Sequence, residues 1–134
     1  MKKLLIFAAF LIFAGIASGQ TLKKGALIGT HTINVTLQND VTLNQFLDWL
    51  ENSWKAELDK LDGMTVFITK GDRGEGTDRY GLIYYCESKE VRDKYFPAEG
   101  EAPEEYRAIT TKLMNDIQKY VVSMTTEYTD WIVL

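Results

Sequence analysis

The stretch GALIGTHTINVTLQNDVTLNQFLDWLENSWKAELDKL, residues 25–61, decides the fold. Its first half alternates. Leu27, His31, Ile33, Val35 and Leu37 fall on one side of an extended chain, and Ile28, Thr30, Thr32, Asn34 and Thr36 fall on the other. A period of two with β-branched enrichment predicts a strand over Leu27–Leu37, apolar on one face and mostly threonine on the other. Gln38-Asn39-Asp40 is turn chemistry. Thr42-Leu43-Asn44-Gln45 then reads as a capping box, in which the Thr hydroxyl accepts from a backbone N–H and the Gln side chain reaches back. Val41 and Phe46 flank it as a hydrophobic staple. Leu43, Phe46, Leu47, Leu50, Trp54, Leu58 and Leu61 recur at helical spacing. Trp49 lies beside that stripe and could be exposed or interfacial, although aromatics at such spacing are more often core or dimer interface. Gly63 stops the helix.

Working outward, residues 1–19 read as an export signal. Lys2 and Lys3 form a positive n-region, residues 4–16 an apolar core too short to span a bilayer comfortably, and Ala17-Ser18-Gly19 a small-residue cleavage site before Gln20. The alternative is an N-terminal membrane anchor. No cysteine follows the apolar core, which argues against a lipoprotein. Residues 20–134 are the size of one domain. The chain has 134 residues and a net charge of −4. Without Lys2 and Lys3, 13 of its 15 basic side chains face 19 acidic ones, a net −6. With no basic stripe, the composition argues against nucleic acid and against anionic membrane surfaces as partners. Cys86 is the one cysteine, so no internal disulfide forms.

Met64–Lys70 alternates as a second strand. A glycine-rich loop, 71–78, leads to a third strand over 80–87, which makes the pair a hairpin. Ser88 caps a short helix through Phe96, ended by Pro97. Pro103 opens a longer helix that carries Tyr106, Ile109, Leu113, Ile117, Tyr120 and Val121 on one stripe, and a last strand runs over 125–134. The order is two β-α-β halves. It predicts an α+β, ferredoxin-like βαββαβ sandwich with an antiparallel sheet and both long helices on one side. On the other side, whichever way the strands face, strands three and four supply aromatic or aliphatic groups. A face left in water should alternate cleanly to polar, so this one is expected to meet a partner or a ligand.

With that element order and mixed second face, the chain resembles the dimeric α+β barrel superfamily, which includes antibiotic-biosynthesis-type monooxygenases and stress-responsive barrel proteins. The segments Lys70-Gly71-Asp72-Arg73-Gly74-Glu75, Arg92-Asp93-Lys94-Tyr95-Phe96-Pro97 and Tyr128-Thr129-Asp130-Trp131 resemble uncharacterised exported proteins of Bacteroidetes-type bacteria. The resemblance implies a homodimer with sheets packed face to face around a Thr- and Tyr-lined interior. It implies no assigned activity and no cofactor. Superfamily members oxidise aromatic substrates, bind or degrade haem, or have no established chemistry.

His31 is the only histidine and so the first candidate for acid/base work or haem ligation. Its apolar neighbours equally fit a packed strand histidine. A lone His does not make a zinc site, and no metal is expected. Thr32, Asn34, Arg73, Tyr84, Tyr85 and Trp131 are the candidate ligand-binding residues. Arg73 could clamp a carboxylate from the loop, and the aromatics suit a flat apolar guest. The bland alternatives are a solvated hairpin for Arg73 and core or dimer packing for the aromatics. The loop lacks the Lys-Ser/Thr ending of a P-loop. The expected function is that of an exported protein, periplasmic or extracellular, binding a small apolar or aromatic molecule as a homodimer. The alternatives are a cofactor-independent monooxygenase-like or haem-handling enzyme, and an envelope protein-interaction module.

Overall fold

In the computed structural model, which describes residues 22–134, four strands form one antiparallel sheet in the order β2-β3-β1-β4. They are β1 (Leu27–Leu37), β2 (Met64–Lys70), β3 (Tyr80–Cys86) and β4 (Val121–Ile132). The expected export signal, 1–19, lies outside the described residues. Between β1 and β2 the chain forms α1 (Leu43–Trp49), a π-helical segment (Leu50–Lys55) and a final turn, α2 (Ala56–Leu58). Between β3 and β4 lie α3 (Lys89–Tyr95) and α4 (Glu104–Ile117). This is the ferredoxin-like βαββαβ arrangement read from the sequence.

The capping box forms as expected. The Gln45 N–H donates to Thr42 Oγ1 at 3.3 Å, and the Thr42 N–H donates to Gln45 Oε1 at 2.8 Å. Those are two of the N–H groups that a helix start leaves without a partner. Phe46, Leu50, Leu58 and Leu61 are buried, and they meet Leu27, Ile33, Met64, Val66, Leu82 and Cys86 from the sheet and Leu113 and Ile117 from α4. Each such side chain, fully buried, contributes about 1.5–3 kcal/mol.

Two details differ from the first expectation. Trp49 is 6% exposed and belongs to the core, the alternative that its spacing left open. Trp49 is the last residue of α1, three after Phe46 and one before Leu50, so helical spacing puts it on their buried side, and the π-helical segment that follows, with its wider i→i+5 hydrogen bonding, brings Trp54 round to it. Trp49 and Trp54 accordingly meet edge to face at 5.9 Å between ring centroids, and Trp49 also stacks on Tyr120 at 5.2 Å. The second is at the end of α4. The expected stripe ran on through Tyr120 and Val121, with β4 starting at 125, but the helix ends at Ile117 and β4 starts at Val121. Gln38 at the end of β1 explains it. Its backbone N–H donates to the Tyr120 carbonyl, and its side chain donates to the carbonyls of Gln118 and Val121. Carbonyls that would continue the helix are captured, and the chain joins β1 across a bulge at Thr36/Leu37.

Register settles which face each side chain takes. Odd positions of β1 share the helix-covered face with Leu82, Tyr84 and Cys86 of β3 and with Tyr128, Asp130 and Ile132 of β4. The opposite face carries Ile28, Thr30, Thr32, Asn34 and Thr36 of β1, Thr65, Phe67 and Thr69 of β2, Gly81, Ile83 and Tyr85 of β3, and Thr129 and Trp131 of β4. Gly63, at φ +76°, turns the chain into β2, and the Val91 side chain packs where a Cβ would sit.

Candidate functional site

A cavity of about 500 Å3 opens between the helix-covered face of the sheet and the segment running from α3 towards α4. Leu27, Gly29 and His31 of β1, Tyr84 and Cys86 of β3, and Tyr128 and Asp130 of β4 form its floor. Arg92 and Asp93 of α3, then Phe96, Pro97 and Ala98, form its roof. The lining is mostly apolar with a few polar groups at one end, as is usual for small-molecule sites of this size.

An unbroken row of rings runs along it. Tyr106 of α4 meets Phe96 at 5.4 Å between centroids, and Phe96 meets Tyr84 at 5.9 Å. Tyr84 meets His31 edge to face at 4.9 Å, and His31 stacks on Tyr128 at 5.4 Å with 18° between planes. These are the offset and edge-to-face geometries that ring quadrupoles favour. Tyr84 is fixed further by the Trp54 indole N–H, which donates to its hydroxyl at 2.9 Å. The π-helical segment, which carries Trp54, therefore braces the cavity floor.

The polar end is built by register. Gly29 sits directly between Tyr84 on one side and Asp130 on the other. Arg92 reaches down from α3 to Asp130 Oδ2 and also donates to Asp93 at 2.7 Å. Having no side chain, Gly29 leaves a niche. A Cβ there would lie 3.1 Å from Asp130 Oδ1 and 3.8 Å from His31 Nε2.

His31 is half-buried, and burial lowers its pKa below the ordinary histidine value, with the Asp130 carboxylate opposing the shift. The ring is thus neutral near pH 7, with one nitrogen left as an acceptor. Among the described residues, neither ring nitrogen has a hydrogen-bond partner. Burial pushes the Cys86 thiol up to about 11 and the Tyr106 hydroxyl up to about 12, so neither ionises at neutral pH. Among the described residues, no three His, Cys, Asp or Glu side chains gather to hold a metal ion, and no helix is long and apolar enough to cross a membrane.

The other candidates are dispersed. Tyr84 faces the cavity beside His31. Thr32, Asn34, Tyr85 and Trp131 lie on the opposite face, where Tyr85, Ile28 and Trp131 form one row across the sheet. Trp131 donates from its indole to Thr30 Oγ1 at 3.2 Å, and Asn34 accepts from Arg79 at 3.2 Å. A shallower depression of about 190 Å3 on that face takes in Thr30, Thr32, Thr69 and Arg79. Arg73 is 93% exposed and pairs with its neighbour Asp72 at 3.5 Å. The sequence reading missed Gly29, Arg92 and Asp130 as a group. One signal was available: aspartate is depleted in strands, so an Asp inside the last strand calls for a reason.

No protein-family model and no curated protein matches this chain. Among solved structures it is similar to a dimeric protein of unknown function and ferredoxin-like fold from Bacteroides fragilis, at 14% identity and a TM-score of 0.45 over 81% of this chain and 97% of that one. An uncharacterised NIPSNAP-like domain protein from Burkholderia xenovorans matches at 16% identity and 0.45, over 79% and 84%. A dimeric ferredoxin-like protein of unknown function from Thermobifida fusca matches at 12% and 0.41, over 84% and 97%. These likenesses are distant and stop at the arrangement of strands and helices. By its own strand order and connectivity, the chain is a ferredoxin-like α+β domain.

Proposed function

We propose that this chain is an exported binding protein for a small, flat, partly apolar molecule, and that it works as a homodimer. The observation that carries the binding reading is the ring-walled cavity over His31, Tyr84 and Tyr128. Its size suits a ligand of one to three fused rings, and its polar groups are confined to one end, where they would orient the guest. The thiol in the cavity lining, Cys86, is held protonated by burial, which favours a binding role over covalent catalysis through it.

The uncovered sheet face supports the dimer. Phe67 is 41% and Trp131 57% exposed, and Ile28, Ile83 and Tyr85 lie between them on the same face. An exposed apolar patch of that kind marks a surface that meets a partner. A second copy, sheet against sheet, covers it with its own equivalent residues.

Ligand-observed NMR and thermal-shift screening of the mature protein against neutral ring compounds test the first part. Saturation transfer to at least one class is expected, with loss on Tyr128→Ala. No binder of any class would overturn it. Light scattering after size exclusion tests the second. A dimer is expected for the wild type and a folded monomer for Trp131→Lys, whereas a wild-type monomer refutes the pairing. Export predicts that protein recovered from the periplasm or medium begins near Gln20 on N-terminal sequencing.

A further inference from the structure

We infer that the guest of the Gly29 niche is an organic cation, a protonated amine carried on a flat aromatic body, and not a carboxylate or phosphate. This rests on the binding reading above and names the ligand class for that same cavity.

The inference follows from which polar atoms are already engaged. Among the described residues, Arg92 is the one cationic side chain that lines the cavity, and two carboxylates hold it: Asp130 through Oδ2 and Asp93. Those two contacts use two of its five N–H donors, but its charge is already matched and exceeded by the two carboxylates, so an anionic guest approaching it meets net repulsion. Asp130 Oδ1 is different. Among the described residues it has no hydrogen-bond partner, and it points over the bare backbone of Gly29. His31 Nε2 approaches the same point. Two carboxylates against one guanidinium leave the lining one charge negative, with His31 neutral. What converges on the niche is therefore acceptor capacity and negative charge, which a group rich in N–H donors complements.

The walls agree. Tyr128 and His31 lie nearly parallel, Tyr84 stands edge-on to His31, and Phe96 stands edge-on to Tyr84. Such surfaces take a flat body by stacking and attract a positive charge over their faces. The absence of a side chain at Gly29 is what gives an ammonium access to Asp130 Oδ1, because a methyl there would fill the niche.

Three compounds with one ring system and different charge supply the test: tryptamine, the neutral alcohol tryptophol, and indole-3-acetate. Binding is read by NMR saturation transfer and calorimetry at pH 7.5 in low salt. Tryptamine is expected to bind about fivefold more tightly than tryptophol, and indole-3-acetate more weakly than either. Asp130→Asn should bring the tryptamine-to-tryptophol affinity ratio to about one, whatever its effect on the affinity of each. Gly29→Ala should weaken tryptamine selectively, with its fold verified by circular dichroism. Raising the salt should narrow the gap. Equal or tighter binding of indole-3-acetate overturns the charge assignment and leaves the binding cavity standing, as does a preference that survives Asp130→Asn. No binding by any of the three, nor by neutral ring compounds generally, removes both.

Discussion

Tyr84→Phe is the most incisive perturbation of the cavity floor. Tyr84 is 8% exposed, and its hydroxyl accepts the Trp54 indole N–H at 2.9 Å. Removing that oxygen changes the packing volume little but leaves an indole donor in a part-buried site without a partner. An orphaned neutral donor costs about 1–3 kcal/mol, and partial access of water to Trp54 places this one at about 1–2 kcal/mol. For a domain of this size, 1 kcal/mol corresponds to roughly 4 °C in Tm. The control is the next residue. Tyr85 points to the opposite face, and Tyr85→Phe removes a hydroxyl with no partner among the described residues, so it should change stability by less than about 0.5 kcal/mol. Urea unfolding of wild type, Tyr84→Phe, Trp54→Phe and the double variant closes a cycle, with an expected coupling of about 1 kcal/mol because residues in direct contact do not add. If Tyr84→Phe matches Tyr85→Phe, or the cycle shows no coupling, the brace between the π-helical segment and the cavity floor is not there, and the ordered floor deduced from it fails with it.

Two further outcomes follow from the same geometry. Trp49→Ala should cost about 3–5 kcal/mol in urea unfolding, the range for emptying a large aromatic site in a core. A cost under about 1 kcal/mol would return Trp49 to the surface. The His31 dependence on pH has a definite sign. Its folded pKa lies below the unfolded value because burial disfavours the charged ring. The neutral ring's contribution is therefore fully present above about pH 6.5 and is lost as pH falls through the folded value. Between pH 7.5 and 5, His31→Gln should lose less stability than the wild type. An equal or larger loss in the variant would refute the assignment.

Much of the architecture was legible in residues 25–61 because short-range physics writes it there. Alternation in β1 defines a strand and the Thr42/Gln45 box a helix start, while Gly63, expected as the helix stop, makes the turn into β2 after the helix has ended at Leu58. The order of the remaining elements then leaves few topologies, since connections are short and right-handed. The failures were places where a distant group captures the local backbone. Gln38, just past the end of the neighbouring strand β1, ends α4 early, and Tyr120, whose carbonyl it holds, stacks on Trp49 within the core. Of the candidate site, His31 and Tyr84 were singled out by residue type alone. Their company was not, because it depends on which rows the strands form.

The sequence by itself determined a ferredoxin-like α+β domain with an apolar helix-covered face and a mixed face opposite, because period, capping and turn chemistry are properties of neighbouring residues. Only the tertiary structure decided that His31, Gly29 and Asp130, about a hundred residues apart in part, share one cavity beneath Arg92. Strand register joins them, and a slip of one residue between β1 and β4 would send Asp130 and Tyr128 to the other face.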